Sequence, residues 1–157
     1  MQLSNVLYLM FGAIITILVE YFLVAIKETR ETKRVKEIIN AELIKNKKKI
    51  EKIKSKISKS KLNTLADDLI DIKKEIKQNP FLFFGKEILK NKFSVLRIDA
   101  DYFIDTIIIY LDLKDIDSYI HSFPGMVDRD QAVIIKIKRE LISKIEFCNI
   151  KIRKKID

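Results

Sequence analysis

Apolar positions change their spacing along this chain, and each change predicts an element. From Val6 to Ile26 they are nearly continuous, broken only by Gly12, Thr16 and Glu20. A helix needs ~20 apolar residues to cross a bilayer core, so this run predicts a membrane span. Further on the spacing becomes three and four. Ile50, Ile53 and Ile57 form a seam, and Leu62, Leu65, Leu69, Ile72 and Ile76 form a narrow stripe of the kind used in coiled coils. Near the end Ile134, Ile137, Leu141, Ile145, Cys148, Ile152 and Ile156 keep the same step. That long period overrides the strand-like alternation of Ile134-Ile135-Lys136-Ile137-Lys138 and of Ile150-Lys151-Ile152-Arg153.

Breaks between the stripes follow from cap and turn chemistry. Ser58-Lys59-Ser60-Lys61 weakens the first long helix, and Asn63 or Thr64 can restart one as N-cap. Asn79-Pro80 closes the second helix, because the residue before proline avoids the α region. Proline then suits the first position of a short helix reaching about Asn91, with Gly85 as its weak point. A further helix spans about Asp99 to His121. Pro124-Gly125 turns the chain, and Asp128 with Gln131 resembles a capping box for a last helix from Arg129 to Lys155.

Composition agrees with helices. Three Gly and two Pro in 157 residues leave little turn chemistry for a many-stranded fold. The expected fold class is all-α, in three parts: a transmembrane anchor at 1–26, a basic juxtamembrane stalk helix at 27–61, and a small helical bundle at 62–157 packed with the stalk.

Charge changes the picture when it is divided along the chain. The net charge of +9 belongs to residues 27–61, which hold 14 Lys and Arg against 5 Asp and Glu, while residues 62–157 are close to neutral. No basic residue precedes the apolar run, and Lys27, Arg30, Lys33, Arg34 and Lys36 follow it closely. Basic residues beside a span stay on the cytoplasmic side. The expected location is therefore the cell membrane, single-pass, with the N-terminus outside and the C-terminus cytoplasmic. A cleaved signal peptide would want a basic start and small residues at a cleavage site, and Met1 to Asn5 and Val24-Ala25-Ile26 supply neither. The same five cations are the candidate contact with an anionic surface, which makes membrane lipid an expected partner. Lys45 to Lys61 could hold nucleic acid as a phosphate-binding strip, a less favoured partner.

Ala41-Glu42-Leu43-Ile44-Lys45-Asn46, followed by helices carrying Phe93 and Tyr110, resembles a loose group of uncharacterised bacterial and archaeal single-pass proteins. The resemblance implies an anchored helical module and carries no activity. Glu42 and Asn46 lie four apart and so share a helical face, either in contact with the bundle or solvated on the stalk.

Gly12, Thr16 and Glu20 line one face of the apolar run, and small or hydrogen-bonding residues at that spacing let helices pair. They are the candidate association residues, with Glu20 alternatively reaching the headgroups. Asp101, Asp105, Asp112 and Asp115 form an acidic row that is solvated, or faces basic residues of the stalk or last helix. One helix alone converges too few oxygens for a metal. The opposite face of that helix, with Phe103, Ile107 and Tyr110, is expected to pack inward. Phe81-Leu82-Phe83-Phe84, at a helix start and flanked by Lys77 and Lys86, reads as core packing, with a patch that dips into the membrane interface or holds a partner as the alternative.

His121 and Ser122 are adjacent and do not face one another, and Cys148 falls on an apolar stripe as a buried thiol. No phosphate loop, zinc spacing or nucleophile constellation occurs. The expectation is no enzyme, no cofactor and no metal site. The leading functional reading is a membrane-anchored interaction module, scaffold- or adaptor-like, that docks another protein or a second copy of itself. The alternatives are an oligomeric membrane effector that perturbs or conducts across the bilayer, and a membrane tether for nucleic acid.

Overall fold

A computed structural model describes residues 2–61, 64–83, 85–88, 98, 100–122 and 131–156, with side chains from Phe11 onward. The chain folds as helices α1 (Gln2–Lys59), α2 (Leu65–Gln78), α3 (Ala100–His121) and α4 (Gln131–Ile156), with a helical turn at 85–88. They close a ring in chain order. α1 lies along α4, α4 against α3, α3 against α2, and α2 back against the end of α1. At 1.5 Å per residue α1 is ~87 Å long, far longer than the helices it packs against.

Each helix buries the stripe its spacing dictates. In α2, Leu65, Leu69, Ile72 and Ile76 face inward, with Asp67 and Asp68 in the first turn where the helix dipole favours negative charge. The Thr64 side chain makes no capping bond, and the helix ends where the Asn79 N–H donates to the Glu75 carbonyl at 2.9 Å. In α4, Ile137, Leu141, Ile145, Cys148 and Ile152 are buried. The seam of α1 begins earlier than Ile50. Val35, Ile39 and Leu43 are buried among the cations of the basic stretch, so this part of α1 is a wall of the core.

Two expectations shift in detail. In α3 the centre of the buried face runs through Thr106, Ile109, Leu113, Ile116 and Ile120. Phe103 and Ile107 sit only partly buried at its border, because lysines of α4 occupy the acidic side. Residues 81–83 are not helical, and helix starts at Gly85. Phe81 is buried in the core, Phe83 packs beside it and Leu82 is exposed. Phe84, Asn63, Phe93, Pro124-Gly125 and Asp128 lie outside the described residues.

The expected membrane span is corrected. Among the described residues, no helix is long and apolar enough to cross a membrane. Glu20 interrupts the apolar run, and any window that reaches past Ile26 takes in Lys27 and Glu28 as well. The transmembrane anchor at 1–26 falls with this finding. So do the single-pass topology with its outside N-terminus, the cell-membrane location and membrane lipid as a partner. The anchored interaction module, the membrane effector and the membrane tether for nucleic acid fall too. The all-α bundle stands.

Candidate functional site

Among the described residues, the first feature left without a neighbour is the part of α1 from Phe11 to Ile26. The described side chains of this helix become buried only at Thr32 and Val35. Before them, every large apolar side chain from Phe11 to Ile26 is exposed, from 48 % at Ile26 to 65 % at Ile17. Gly12, Thr16 and Glu20 share one face of this arm. The Thr16 hydroxyl donates to the Gly12 carbonyl at 2.9 Å, and a Cβ added at Gly12 would meet nothing within 4 Å. This face is thus low and open.

Below the arm the five juxtaposed cations divide between two faces. Lys27, Arg30 and Arg34 stand with Glu31 around a groove of about 650 Å³ that Val35, Ile38 and Ile88 floor. Lys33 and Lys36 turn to the other side, around a shallower space of about 330 Å³ with Thr29, Thr32, Glu37 and Asn40. The Lys36 ammonium lies 4.6 Å from the centre of the Tyr102 ring, a cation–π distance. The sequence groups the five together, and helical geometry separates them.

Further along α1, polar residues at steps of four and three grip the connection after α2. The Asn46 carboxamide donates to the Leu82 carbonyl at 2.8 Å and accepts from the Leu82 N–H at 2.9 Å. Glu42 accepts from the Gly85 N–H at 3.0 Å, at the start of the helical turn, where a negative charge suits the free amides. Lys49 donates to the Pro80 carbonyl at 2.5 Å and to Asn79 Oδ1 at 3.1 Å. Burial holds the Lys49 ammonium below its usual pKa, with Glu75 opposing that shift. Glu42 and Asn46 are both buried, so the polar pair faces the bundle.

Tyr110 closes this clasp from α3. Its ring is fully buried, centred 6.1 Å from that of Phe83, and its hydroxyl would lie 2.3 Å from a Cβ placed on Gly85. The hydroxyl lies beside the Glu42 carboxylate, and among the described residues neither Tyr110 Oη nor Glu42 Oε1 has a partner in full hydrogen-bonding geometry. Burial, then the Glu42 charge, push the Tyr110 hydroxyl well above its usual pKa.

The acidic row of α3 meets α4. Asp105 pairs with Lys155 at 3.3 Å, Asp112 with Lys151 at 2.7 Å, and Asp115 with Lys144. Tyr119 continues the ladder by donating to Glu140, and burial followed by this bond raises its pKa. Asp101 carries no such pair among the described contacts. No cluster of metal-ligating side chains occurs among the described residues.

The Cys148 thiol is fully buried and pushed up to about 12, by burial first and by Asp112 second, against the lowering effect of Lys151. His121 Nδ1 lies 2.9 Å from the Asp117 carbonyl, and Ser122 Oγ donates to the Tyr119 carbonyl. The two side chains do not face each other. Three of the nine lysines of the basic strip are engaged within the fold: besides Lys49, Lys52 pairs with Glu75 and Lys54 with Glu146 at 2.6 Å.

The chain matches no family model, no curated protein and no solved structure. The resemblance to single-pass anchored proteins is corrected accordingly. Its Glu42 and Asn46 have a local explanation in the clasp. The partners of that clasp, Leu82, Gly85 and Tyr110, are scattered over the sequence, and only the spacing of buried polar groups on α1 hints at them.

Proposed function

We propose that the protein is a self-associating interaction module that assembles through the apolar arm of α1. The observation that carries this reading is the arm itself, where every large apolar side chain from Phe11 to Ile26 is exposed. Contiguous apolar surface on that scale marks a surface that is covered by a partner. Burying each such side chain is worth ~1.5 to 3 kcal/mol. Several of them per copy offset the ~4 to 15 kcal/mol that association costs in lost freedom.

Gly12, Thr16 and Glu20 supply the face on which two such helices approach most closely, with no side chain standing above Gly12.

Sedimentation velocity on the full chain over a concentration series tests the reading. The expected result is a concentration-dependent oligomer that dissociates on Leu18→Lys with Phe22→Lys while helical circular dichroism is kept. Gly12→Ile is expected to weaken association by roughly tenfold, about 1.4 kcal/mol. A native chain that stays monomeric at tens of micromolar overturns it.

A further inference from the structure

The groove at the foot of the arm has a chemistry of its own. Lys27, Arg30 and Arg34 stand at steps of three and four on α1, so their charged ends line one rim. Beneath them Val35 is buried and Ile38 and Ile88 are half-buried, giving an aliphatic floor built by two elements, α1 and the turn at 85–88. Glu31 shares the rim and is already engaged in an interaction of its own. Three cations therefore face one occupied carboxylate above an apolar bed.

We infer that this groove binds a long-chain carboxylate, with the carboxylate held by Arg30, Arg34 and Lys27 and the aliphatic tail laid on Val35, Ile38 and Ile88. The volume of about 650 Å³ falls within the ~300 to 1,000 Å³ of small-ligand sites. Two arginines one turn apart can each present a planar fork to a carboxylate, which a neutral head cannot exploit. The floor accepts methylenes at ~0.8 kcal/mol each, so affinity rises with chain length. The clasp bears on this site as well. Glu42 holds the Gly85 N–H and thereby anchors the helical segment that carries Ile88. This part of the floor is thus fixed by a contact outside the groove.

Calorimetric titration of the full chain with decanoate, and in parallel with the neutral-headed decyl maltoside, both below their micelle concentrations, reads this directly. Saturable binding of decanoate at one equivalent is expected, at least tenfold tighter than the maltoside and weakening with added salt. Arg30→Gln with Arg34→Gln is expected to weaken decanoate about tenfold, and Ile38→Asp, which charges the floor, to abolish it. Leu18→Lys with Phe22→Lys, which changes the arm alone, is expected to leave decanoate binding unchanged. That variant separates this site from self-association: the groove fails if it loses binding while the arginine pair does not. Equal affinity for the two heads also overturns the inference. So does a double arginine variant that binds like the native chain.

Discussion

Asn46 and Leu82 are joined by a double hydrogen bond in which the side-chain amide of one completes the backbone of the other, at 2.8 and 2.9 Å. A carboxamide is the one side-chain group that offers a donor and an acceptor with the spacing of a peptide unit. This explains why the chain stays non-helical after Pro80. The Leu82 N–H and carbonyl are both committed to α1, and so are withheld from an i, i+4 ladder. Asn46→Ala leaves both without that partner, and the expected cost is ~1 to 3 kcal/mol, read as a lower urea midpoint at unchanged slope. Asn46→Asp is expected to cost at least as much, because it sets an anionic oxygen against the Leu82 carbonyl. A midpoint for Asp close to native would show that the carbonyl contact contributes nothing.

Gly85 is fixed by Tyr110. A methyl at residue 85 would sit 2.3 Å from the tyrosine hydroxyl oxygen and 2.8 Å from Ile39 Cγ1, both inside van der Waals contact. Gly85→Ala is therefore expected to destabilise by ~1 to 3 kcal/mol, in the range of overpacked cores. Tyr110→Phe removes a hydroxyl that has no partner among the described residues and should by itself change stability by less than ~1 kcal/mol. Combined, the second change relieves part of the first, since the nearest ring carbon lies at 3.3 Å. A double-mutant cycle by denaturant unfolding measures this coupling, and strictly additive effects would contradict the contact.

The ease of reading this fold from its sequence follows the burial of regular stripes. α2 and α4 carry isoleucines and leucines at helical spacing with polar residues between them, and those positions are the ones the structure buries. The seam of α1 is harder to see before Ile50, because Val35 stands between Arg34 and Lys36, while Ile39 and Leu43 each have a second apolar residue beside them, Ile38 and Ile44, that blurs the stripe. The clasp was legible only by halves. Glu42 and Asn46 share a face by spacing alone, yet their partners lie 36 to 43 residues away in sequence, a distance that no local period encodes. The apolar run misled for a related reason: length and hydropathy report what a helix would rather touch, and leave open what covers it.

The ladder between α3 and α4 grades its own rungs. Asp112 and Lys151 are each about a quarter exposed, at 26 %, whereas Asp115 is 58 % exposed opposite Lys144. Exposed ion pairs contribute ~0 to 1 kcal/mol, so Asp115→Asn should be nearly silent. Asp112→Asn should cost more, up to ~1 kcal/mol, because it leaves Lys151 half-buried beside the Phe147 ring at 4.1 Å without its countercharge. Exchanging the two, Asp112→Lys with Lys151→Asp, is expected to recover part of that loss. Thermal unfolding in low and high salt checks the order, and equal losses at both rungs would contradict the grading by burial.

Cys148 gives the fold an alkaline limit. Its thiol is shifted from 9.0 to about 12, chiefly by burial. Below pH ~9 the group is protonated in folded and unfolded chains alike, so its burial carries no proton cost. Between pH 9 and 12 the unfolded chain releases a proton that the folded chain retains. Stability must then fall as pH rises, by up to ~1.4 kcal/mol per pH unit from this one group. Lysines and tyrosines titrate over the same range, so the comparison that isolates the thiol is with Cys148→Ala. That variant starts lower at pH 7, because it leaves a small cavity, and loses stability less steeply above pH 9. The two curves of unfolding free energy against pH converge. Parallel curves would mean that the thiol is ionised as readily in the bundle as in the open chain. At pH 8 the same burial predicts that a disulfide reagent reacts with native protein far more slowly than with protein in denaturing urea.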